Sequence, residues 1–325
     1  MLTTKEKIIQ HALELGFSKI GFTKPEKLEA EGGKLAEWLF KNYHGDMKWM
    51  GKNIKKRLDP KLIFPEVKSV IVTAANYYTD NQRSNDAKVG NISRYAWGDD
   101  YHIVVEQKLN ELFTYIKSVA PKTDGKVYVD SGSVMEKAWA QRAGIGWQGK
   151  HSLIISPQFG SWFFIGIILI NVELESDIYS IDQCGDCTLC IGACPTNAIV
   201  EPYVLDARKC ISYQTIENKG TMDPELSGKY LNELSFQQNW IYGCDICQDV
   251  CPWTHKFASD TNISEFYPHE DNINPNLSEL ESISSQEFNE RFKNSPIKRI
   301  KHKKFIENIK AVKNIKEIED ERETS

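Results

Sequence analysis

Eight cysteines occur in this chain of 325 residues, and all of them fall between Cys184 and Cys251. No other feature restricts the possible folds as strongly. The first group reads Cys184-x2-Cys187-x2-Cys190-x3-Cys194-Pro195. The second is Cys210 followed, after a gap, by Cys244-x2-Cys247-x3-Cys251-Pro252. Thiolates two residues apart on a tight loop can reach three corners of an iron–sulfur cube, and the fourth cysteine of such a run ligates the other cube when two are present. The spacing assigns Cys184, Cys187, Cys190 and Cys251 to one [4Fe–4S] cluster and Cys194, Cys210, Cys244 and Cys247 to a second. Each proline turns the chain after a ligand. Structural zinc sites built from paired C-x2-C knuckles are the alternative, and the triple run ending in x3-C-P fits them poorly. The 33 residues between Cys210 and Cys244 far exceed the ferredoxin spacing, so that insertion serves something besides cluster ligation.

Clustered cysteines are metal ligands or catalysts in a reducing compartment, and the rest of the chain agrees with one. Its start, MLTTKEKIIQHALELGF, is charged and helix-like, without the apolar core and small-residue cleavage site of an export signal. The longest apolar run, Trp162 to Ile170, has nine residues, too few to span a bilayer, and reads as a buried strand. A cytoplasmic protein with no membrane partner is expected. Hydrophobic residues at 41% and charged residues at 26% exclude disordered and collagen-like classes.

At ~150 residues per domain the length allows two or three domains. Residues 1–172 alternate helical and strand patterns and predict an α/β domain. Ile8, Ile9, Ala12, Leu13 and Leu15 stripe one helix, and Val104 to Val119 another. Val70 to Ala75 and Val127 to Val129 read as strands. Periodicity leaves the strand order open. An acidic hinge, Glu173 to Asp182, leads into a ferredoxin-like segment at 173–262. The remainder, 263–325, predicts a short helical tail. The net charge of −5 carries no global sign of nucleic-acid binding, yet residues 291–316 hold ten Lys or Arg against one acid, while 257–290 hold eight acids and no Lys or Arg.

Two motifs resemble nucleotide or cobalt sites and fail on context. Gly144-Ile-Gly146-Trp-Gln-Gly149-Lys150-His151 contains G-x-G-x-x-G, but a helix (Val134 to Arg142) is predicted before it and a strand (Leu153 to Ile155) after it, the reverse of a phosphate loop. A glycine-lined loop lying against a flat ligand is the better reading. Asp100-Tyr101-His102 is a fragment of D-x-H-x-x-G without its glycine, and reads as a histidine at a helix start. Asp130, at a strand end before Ser131-Gly132-Ser133, is a candidate acid. It would need burial beside an apolar ligand to raise its pKa. Its alternative role is to order the turn before a capping box, Ser133-x-x-Glu136. Arg57-Leu-Asp59-Pro60 reads as solvated charge or ligand contact, and Arg94 to His102 as core or pocket wall.

Taken together, these segments resemble the epoxyqueuosine reductases. The carrying residues are Arg57-Leu-Asp-Pro60, Ser93-Arg-Tyr-Ala-Trp-Gly98 through Tyr101-His102, Val129-Asp-Ser-Gly132, Ala143 to Lys150, both cysteine groups, Cys210-Ile-Ser-Tyr-Gln-Thr-Ile-Glu217 and Ser295-Pro-Ile-Lys-Arg299. The likeness covers essentially the whole chain. It implies an α+β molecule: an N-terminal α/β cobalamin-binding domain of the reductive-dehalogenase and nitroreductase kind, a ferredoxin-like two-cluster module and a helical C-terminal tail. It implies an oxidoreductase of tRNA queuosine biosynthesis that reduces the epoxide of epoxyqueuosine at the wobble position. Its cofactors would be cob(II)alamin, held base-off without a histidine ligand, and two [4Fe–4S] clusters.

By the same resemblance Asp130 is the proton donor, and Arg57, Ser93, Tyr95, His151, Ser152 and Ser212 contact the corrin together with Asp130. The long insertion would face both corrin and tRNA. Lys298, Arg299, Lys301, Lys303 and Lys304 would neutralise tRNA phosphates, unless they are only the solvated face of a helix docked by Phe305, Ile309 and Val312. The flipped base would stack on Tyr213 or Trp253. A flavodoxin- or ferredoxin-type one-electron donor and a monomeric state are expected. Some family members carry an additional C-terminal helical-repeat region, which a chain ending at Ser325 is expected to lack. An iron–sulfur relay without corrin, or a corrinoid reductase of small molecules, are the competing readings.

Overall fold

The structure is a computed structural model that describes residues 2–220 and 239–323, with side chains through residue 313. Four strands form the central sheet: β1 (Lys19–Thr23), β2 (Ser69–Asn76), β3 (Gly125–Tyr128) and β4 (Phe163–Ile170). Their order is β1-β2-β4-β3, and every pairing is antiparallel. The helix-and-sheet mixture expected from the sequence is present, but as an antiparallel sheet rather than a set of βαβ crossovers.

Both faces of the sheet are covered, which explains why its two central strands read as unbroken apolar runs. Successive side chains of a strand point to opposite faces. Ile71 and Ala75 of β2, with Phe164 and Ile168 of β4, join one core with Ile8 and Ala12 of α1 (Thr4–Glu14) and Val105, Leu109 and Ile116 of α2 (Tyr101–Val119). Val70, Val72, Ile167 and Leu169 face the other way, onto Trp139 and Ala140 of α3 (Glu136–Arg142). Burying each such large side chain is worth about 1.5–3 kcal/mol.

Local signals set the helix starts. Thr3 and Glu6 form a capping box on α1, and Asp100 accepts from the His102 N–H at the start of α2. The capping box expected at Ser133 and Glu136 does not form. Helix α3 begins only at Glu136, with Met135 at its N-cap and no side-chain cap bond. The Glu136 carboxyl is used elsewhere, as described below.

The C-terminal part is not a loose tail. Leu277, Leu280, Phe288, Phe292, Ile297, Ile300, Phe305, Ile309 and Val312 form a third core with Ile92, Trp97, Ile241 and Tyr242. Ile263 and Phe266 join the core of the sheet. A short parallel pairing of Trp240–Tyr242 with Asn91–Ile92 ties the stretch before Cys244 to the first half of the chain. The buried Asn308 completes that tie. Its Nδ2 donates to the Thr215 carbonyl (2.8 Å) in α4 (Ile211–Ile216) and to the Ile241 carbonyl (3.0 Å). Asn308 lies on α5 (Lys301–Glu323), the last helix. Among the described residues no helix is long and apolar enough to cross a membrane.

Candidate active site

The sheet, the cysteine segment and the loop before α5 enclose a cavity of about 540 Å³. Most of the expected site residues line it: Ser93, Tyr95, Asp130, His151, Ser152, Ser212 and Tyr213, together with Cys194, Cys210, Cys244 and Cys247. Phe163, Phe164, Ile154 and Ile165 supply apolar wall. Such a mixture of apolar surface and a few convergent polar groups is typical of a ligand or cofactor site.

The eight thiols are unpaired by disulfides and fall into two neighbourhoods. Burial pushes the Cys190 thiol up to about 11, and the charges of Cys251, Cys184 and Cys187 add to the rise. Burial likewise raises Cys244 and Cys247. Cys210 and Cys247 bear on Cys244, and Cys210, Cys194 and Cys190 bear on Cys247, so the two groups of thiols lie side by side. N–H groups point at two of the sulfurs: the Ala198 backbone donates to Cys194 Sγ at 3.2 Å, and the Trp147 indole donates to Cys184 Sγ at 3.5 Å. Among the described residues no three His, Cys, Asp or Glu side chains come close enough to hold a single ion.

Asp130 follows β3 with φ +44°, a left-handed conformation that a tight loop imposes. Its side chain is 62% accessible, and the space it meets is the cavity. Tyr101 Oη donates to Asp130 Oδ2 at 2.5 Å, and His102 Nε2 lies 3.7 Å from the same oxygen. Crowding by the cavity walls tends to raise the carboxyl, but the nearby His102 ring and the bond from Tyr101 outweigh it and hold Asp130 below the usual carboxylate range. The raised pKa expected of this residue is therefore absent, because two donors stabilise the charged form.

His151 is buried in the cavity wall, and burial lowers its imidazole to about 4. Nδ1 accepts from the Leu153 N–H at 3.2 Å, which places the proton of the neutral ring on Nε2. Among the described residues that Nε2 is buried without a partner. A buried donor left unmet costs about 1–3 kcal/mol, so the wall is built for an acceptor such as an amide carbonyl on a bound ligand. An Nε2 that carries a proton is not a metal ligand.

The hairpin Trp147–Gln148 with Ile154–Ile155 accounts for the glycine-rich stretch. A Cβ at Gly146 would stand 2.1 Å from the Ile155 carbonyl, so that glycine serves close backbone packing rather than the ligand contact that the sequence suggested. Lys150 Nζ donates to the Gly185 carbonyl (2.6 Å) and the Cys187 carbonyl (2.9 Å), bracing the first cysteine loop.

Several expected residues lie elsewhere. Arg57 is buried and does not line the cavity; its guanidinium donates to the Lys52 (3.3 Å) and Trp49 (3.1 Å) carbonyls. Trp253 packs edge-on to Trp147 at 4.8 Å, beside Cys184 and Cys251, away from the cavity. Tyr213 does line it, its hydroxyl accepting from the Asp46 N–H at 2.7 Å. In the basic stretch Lys298, Lys301 and Lys303 are exposed. Lys304 is half-buried and donates to the Gly220 carbonyl at 3.2 Å. Arg299 turns into the cavity wall and pairs with Glu217 at 2.6 Å. Both make contacts within the protein, and Arg299 still leaves 51% of its side chain exposed. Of the insertion between Cys210 and Cys244, residues 221–238 lie outside the described residues.

Tyr101 lines the cavity, in the stretch read from sequence as core or pocket wall, whereas sequence reasoning gave no site role to Glu136, Lys137 and Glu217, which line it too. Burial pushes the Glu136 carboxyl up to about 8 and holds the Lys137 ammonium below its ordinary value. Glu136 had been absorbed into a capping pattern, and nothing in its spacing marks it as a cavity residue.

Residues 57–131 match the family model described as epoxyqueuosine reductase QueG, DUF1730, and residues 183–254 match the 4Fe-4S double cluster binding domain. The chain is 42% identical over 313 residues to the epoxyqueuosine reductase of Atelocyanobacterium thalassa, covering 96% of this chain and 99% of that one. With the Escherichia coli epoxyqueuosine reductase it shares 39% over 308 residues, covering 94% of this chain and 79% of that protein. An epoxyqueuosine reductase solved with an epoxyqueuosine-modified tRNA-Tyr stem loop superposes with a TM-score of 0.85 at 33% identity, covering 95% of this chain and 80% of that one. The Bacillus subtilis enzyme, solved with an aspartate-bearing catalytic loop swung out of the active site, gives 0.85 at 32% identity, with coverage of 95% and 80%. With two family models in register and near-complete coverage at about 40% identity, the chain belongs to the epoxyqueuosine reductase family of oxidoreductases.

Proposed function

We propose that this chain reduces the epoxide of epoxyqueuosine, carried at the tRNA wobble position, to the alkene of queuosine inside the 540 Å³ cavity, using cobalamin and two [4Fe–4S] clusters. The observation that carries the reading is the enclosure itself: one cavity holds Asp130, the unpartnered His151 Nε2 and four of the eight thiols. Bound there, cobalamin would supply a low-valent cobalt centre to open the epoxide, recharged by electrons from the clusters.

The chain's own residues do the rest. Cys184, Cys187, Cys190 and Cys251 hold one cluster, and Cys194, Cys210, Cys244 and Cys247 hold the other, on the cavity side. His151 donates from Nε2 to a corrin amide, with Ser93, Tyr95, Ser152 and Ser212 as further polar contacts. Arg57 adds positive charge near Glu136. Asp130 delivers a proton to the departing epoxide oxygen. Tyr213 offers an aromatic face to the flipped base, and Lys298, Lys301 and Lys303 offer exposed charge to the phosphates. The working unit is a monomer in the cytoplasm, supplied by a flavodoxin- or ferredoxin-type one-electron carrier.

The test is anaerobic reconstitution with iron, sulfide, cobalamin and epoxyqueuosine-bearing tRNA, read by nucleoside mass spectrometry. Queuosine should form. The Asp130→Asn protein should bind the cofactors and tRNA yet lose turnover by about 10²–10⁴-fold, the usual contribution of a positioned acid. Folded, iron-loaded protein that takes up no corrin would end this reading.

A further inference from the structure

We propose that His102 is the proton reserve of this site: it recharges Asp130 from water, with Asp100 holding its ring. The proposal rests on Asp130 being the acid of the reaction. Converting an epoxide to an alkene breaks both C–O bonds, forms the C=C bond and releases the oxygen as water. The balance requires two electrons and two protons. The electrons arrive singly from the external one-electron carrier protein. A carboxyl carries at most one proton at a time, and Asp130 rests ionised, so each proton must be delivered to it before it can reach the departing oxygen.

The geometry around Asp130 supplies a path for it. His102 stands between two carboxylates. Its Nδ1 is 2.7 Å from Asp100 Oδ1, and its Nε2 is 3.7 Å from Asp130 Oδ2. With Asp100 accepting from Nδ1–H, the proton on Nε2 is the transferable one. Its loss to Asp130 leaves a neutral ring still anchored to Asp100. The side chain of His102 is 36% exposed, so water can restore the proton. The Nε2 contact is longer than a hydrogen bond, as catalytic contacts often are before substrate binds.

Tyr101 fixes the arrangement. Its ring stacks on Phe164 at 4.2 Å and 3°, and on His102 at 4.1 Å, while its hydroxyl bonds Asp130. Burial drives the Tyr101 hydroxyl far above its ordinary pKa, so it orients Asp130 and does not itself give up a proton. The charged groups facing His102 are Asp100 and Asp130; those facing Asp130 are His102, Lys137, Glu136 and Glu217. Burial works against the imidazolium, but the bond to Asp100 and the nearby Asp130 carboxylate prevail and raise His102 to about 9. The reserve is therefore full at neutral pH, while Asp130 alone is an ionised carboxylate.

The experiment compares wild type, His102→Gln and Asp130→Asn in anaerobic single turnover from pH 6 to 10, on protein loaded with clusters and cobalamin. Glutamine can bond both aspartates but carries no transferable proton. His102→Gln should bind cobalamin and an epoxyqueuosine stem loop as wild type does, and react about 10–100-fold more slowly. The wild-type rate should fall above pH about 9, and that limb should vanish in His102→Gln. Imidazole in the buffer should partly restore His102→Ala. A His102→Gln protein with the wild-type rate, or a slower one that keeps the pH 9 limb, overturns the reserve while Asp130 stands if Asp130→Asn is inactive. Full turnover by Asp130→Asn removes the acid itself.

Discussion

Asn308→Ala is the perturbation that best tests how the C-terminal helix supports the site. Asn308 is 2% exposed, and its amide nitrogen is shared between the Thr215 and Ile241 carbonyls. Thr215 lies on the helix that Cys210 caps, and Ile241 lies on the strand that runs into Cys244. One side chain thus clamps the two approaches to the second thiol quartet. Two intramolecular hydrogen bonds are worth about 1 kcal/mol each net, and stranding a buried acceptor costs about 1–3 kcal/mol. These contributions overlap, so the expected loss is about 2–4 kcal/mol. For a chain of this size ~2 °C accompanies each kcal/mol, giving a fall of roughly 4–8 °C in Tm. Differential scanning of the anaerobic holoprotein measures it. Iron release to a mild chelator should show the cluster of Cys210 and Cys244 becoming labile first. Asn308→Asp separates the bonds from packing, because it keeps the volume but offers an acceptor where a donor is needed. It should destabilise at least as much. A Tm within 1 °C of wild type, with both clusters retained in either variant, would refute the clamp.

Two further outcomes follow from the site. Cys194→Ala should remove the cluster of Cys210, Cys244 and Cys247 and leave the other, which electron paramagnetic resonance and iron content would register; loss of the other cluster alone would reverse the ligand partition. His151→Phe should weaken cobalamin binding by about tenfold, the equivalent of one neutral hydrogen bond, and should also alter acid stability. The unfolded chain takes up a proton on this histidine near its ordinary ~6.5, whereas the folded chain resists until about 4. The unfolded state therefore binds more protons in that window, and stability falls as pH drops from about 6.5 to 4. The phenylalanine variant should lose that part of the decline in a Tm–pH series on the cofactor-free protein, and parallel curves would contradict the assignment.

The two runs of closely spaced cysteines, the extents of β2, β4 and α2, and the turn at Asp130 were legible because each is encoded by near neighbours. Cluster ligands must sit at short fixed spacings on tight loops, and the apolar stripes follow the 3.6- and 2-residue periods of helix and strand. The failure of the glycine-rich motif as a phosphate site was legible too, since the order of flanking elements is itself a sequence property.

Closure of the chain decided the rest. Antiparallel order β1-β2-β4-β3 depends on which strands pair at long range, and no period reports that. Arg299 and Lys304 read as free charges until Glu217 and the Gly220 carbonyl are brought beside them. The C-terminal segment reads as a tail until Phe288, Phe292 and Phe305 find Trp97 and Tyr242. His102 and Asp130 are 28 positions apart, and only the packing of α2 against the end of β3 sets them on one cavity wall. Sequence alone thus determined which metal chemistry the chain can hold, because thiolate ligation is local. The tertiary structure decided where protons can enter it, because proton paths run between groups that the backbone separates and packing reunites.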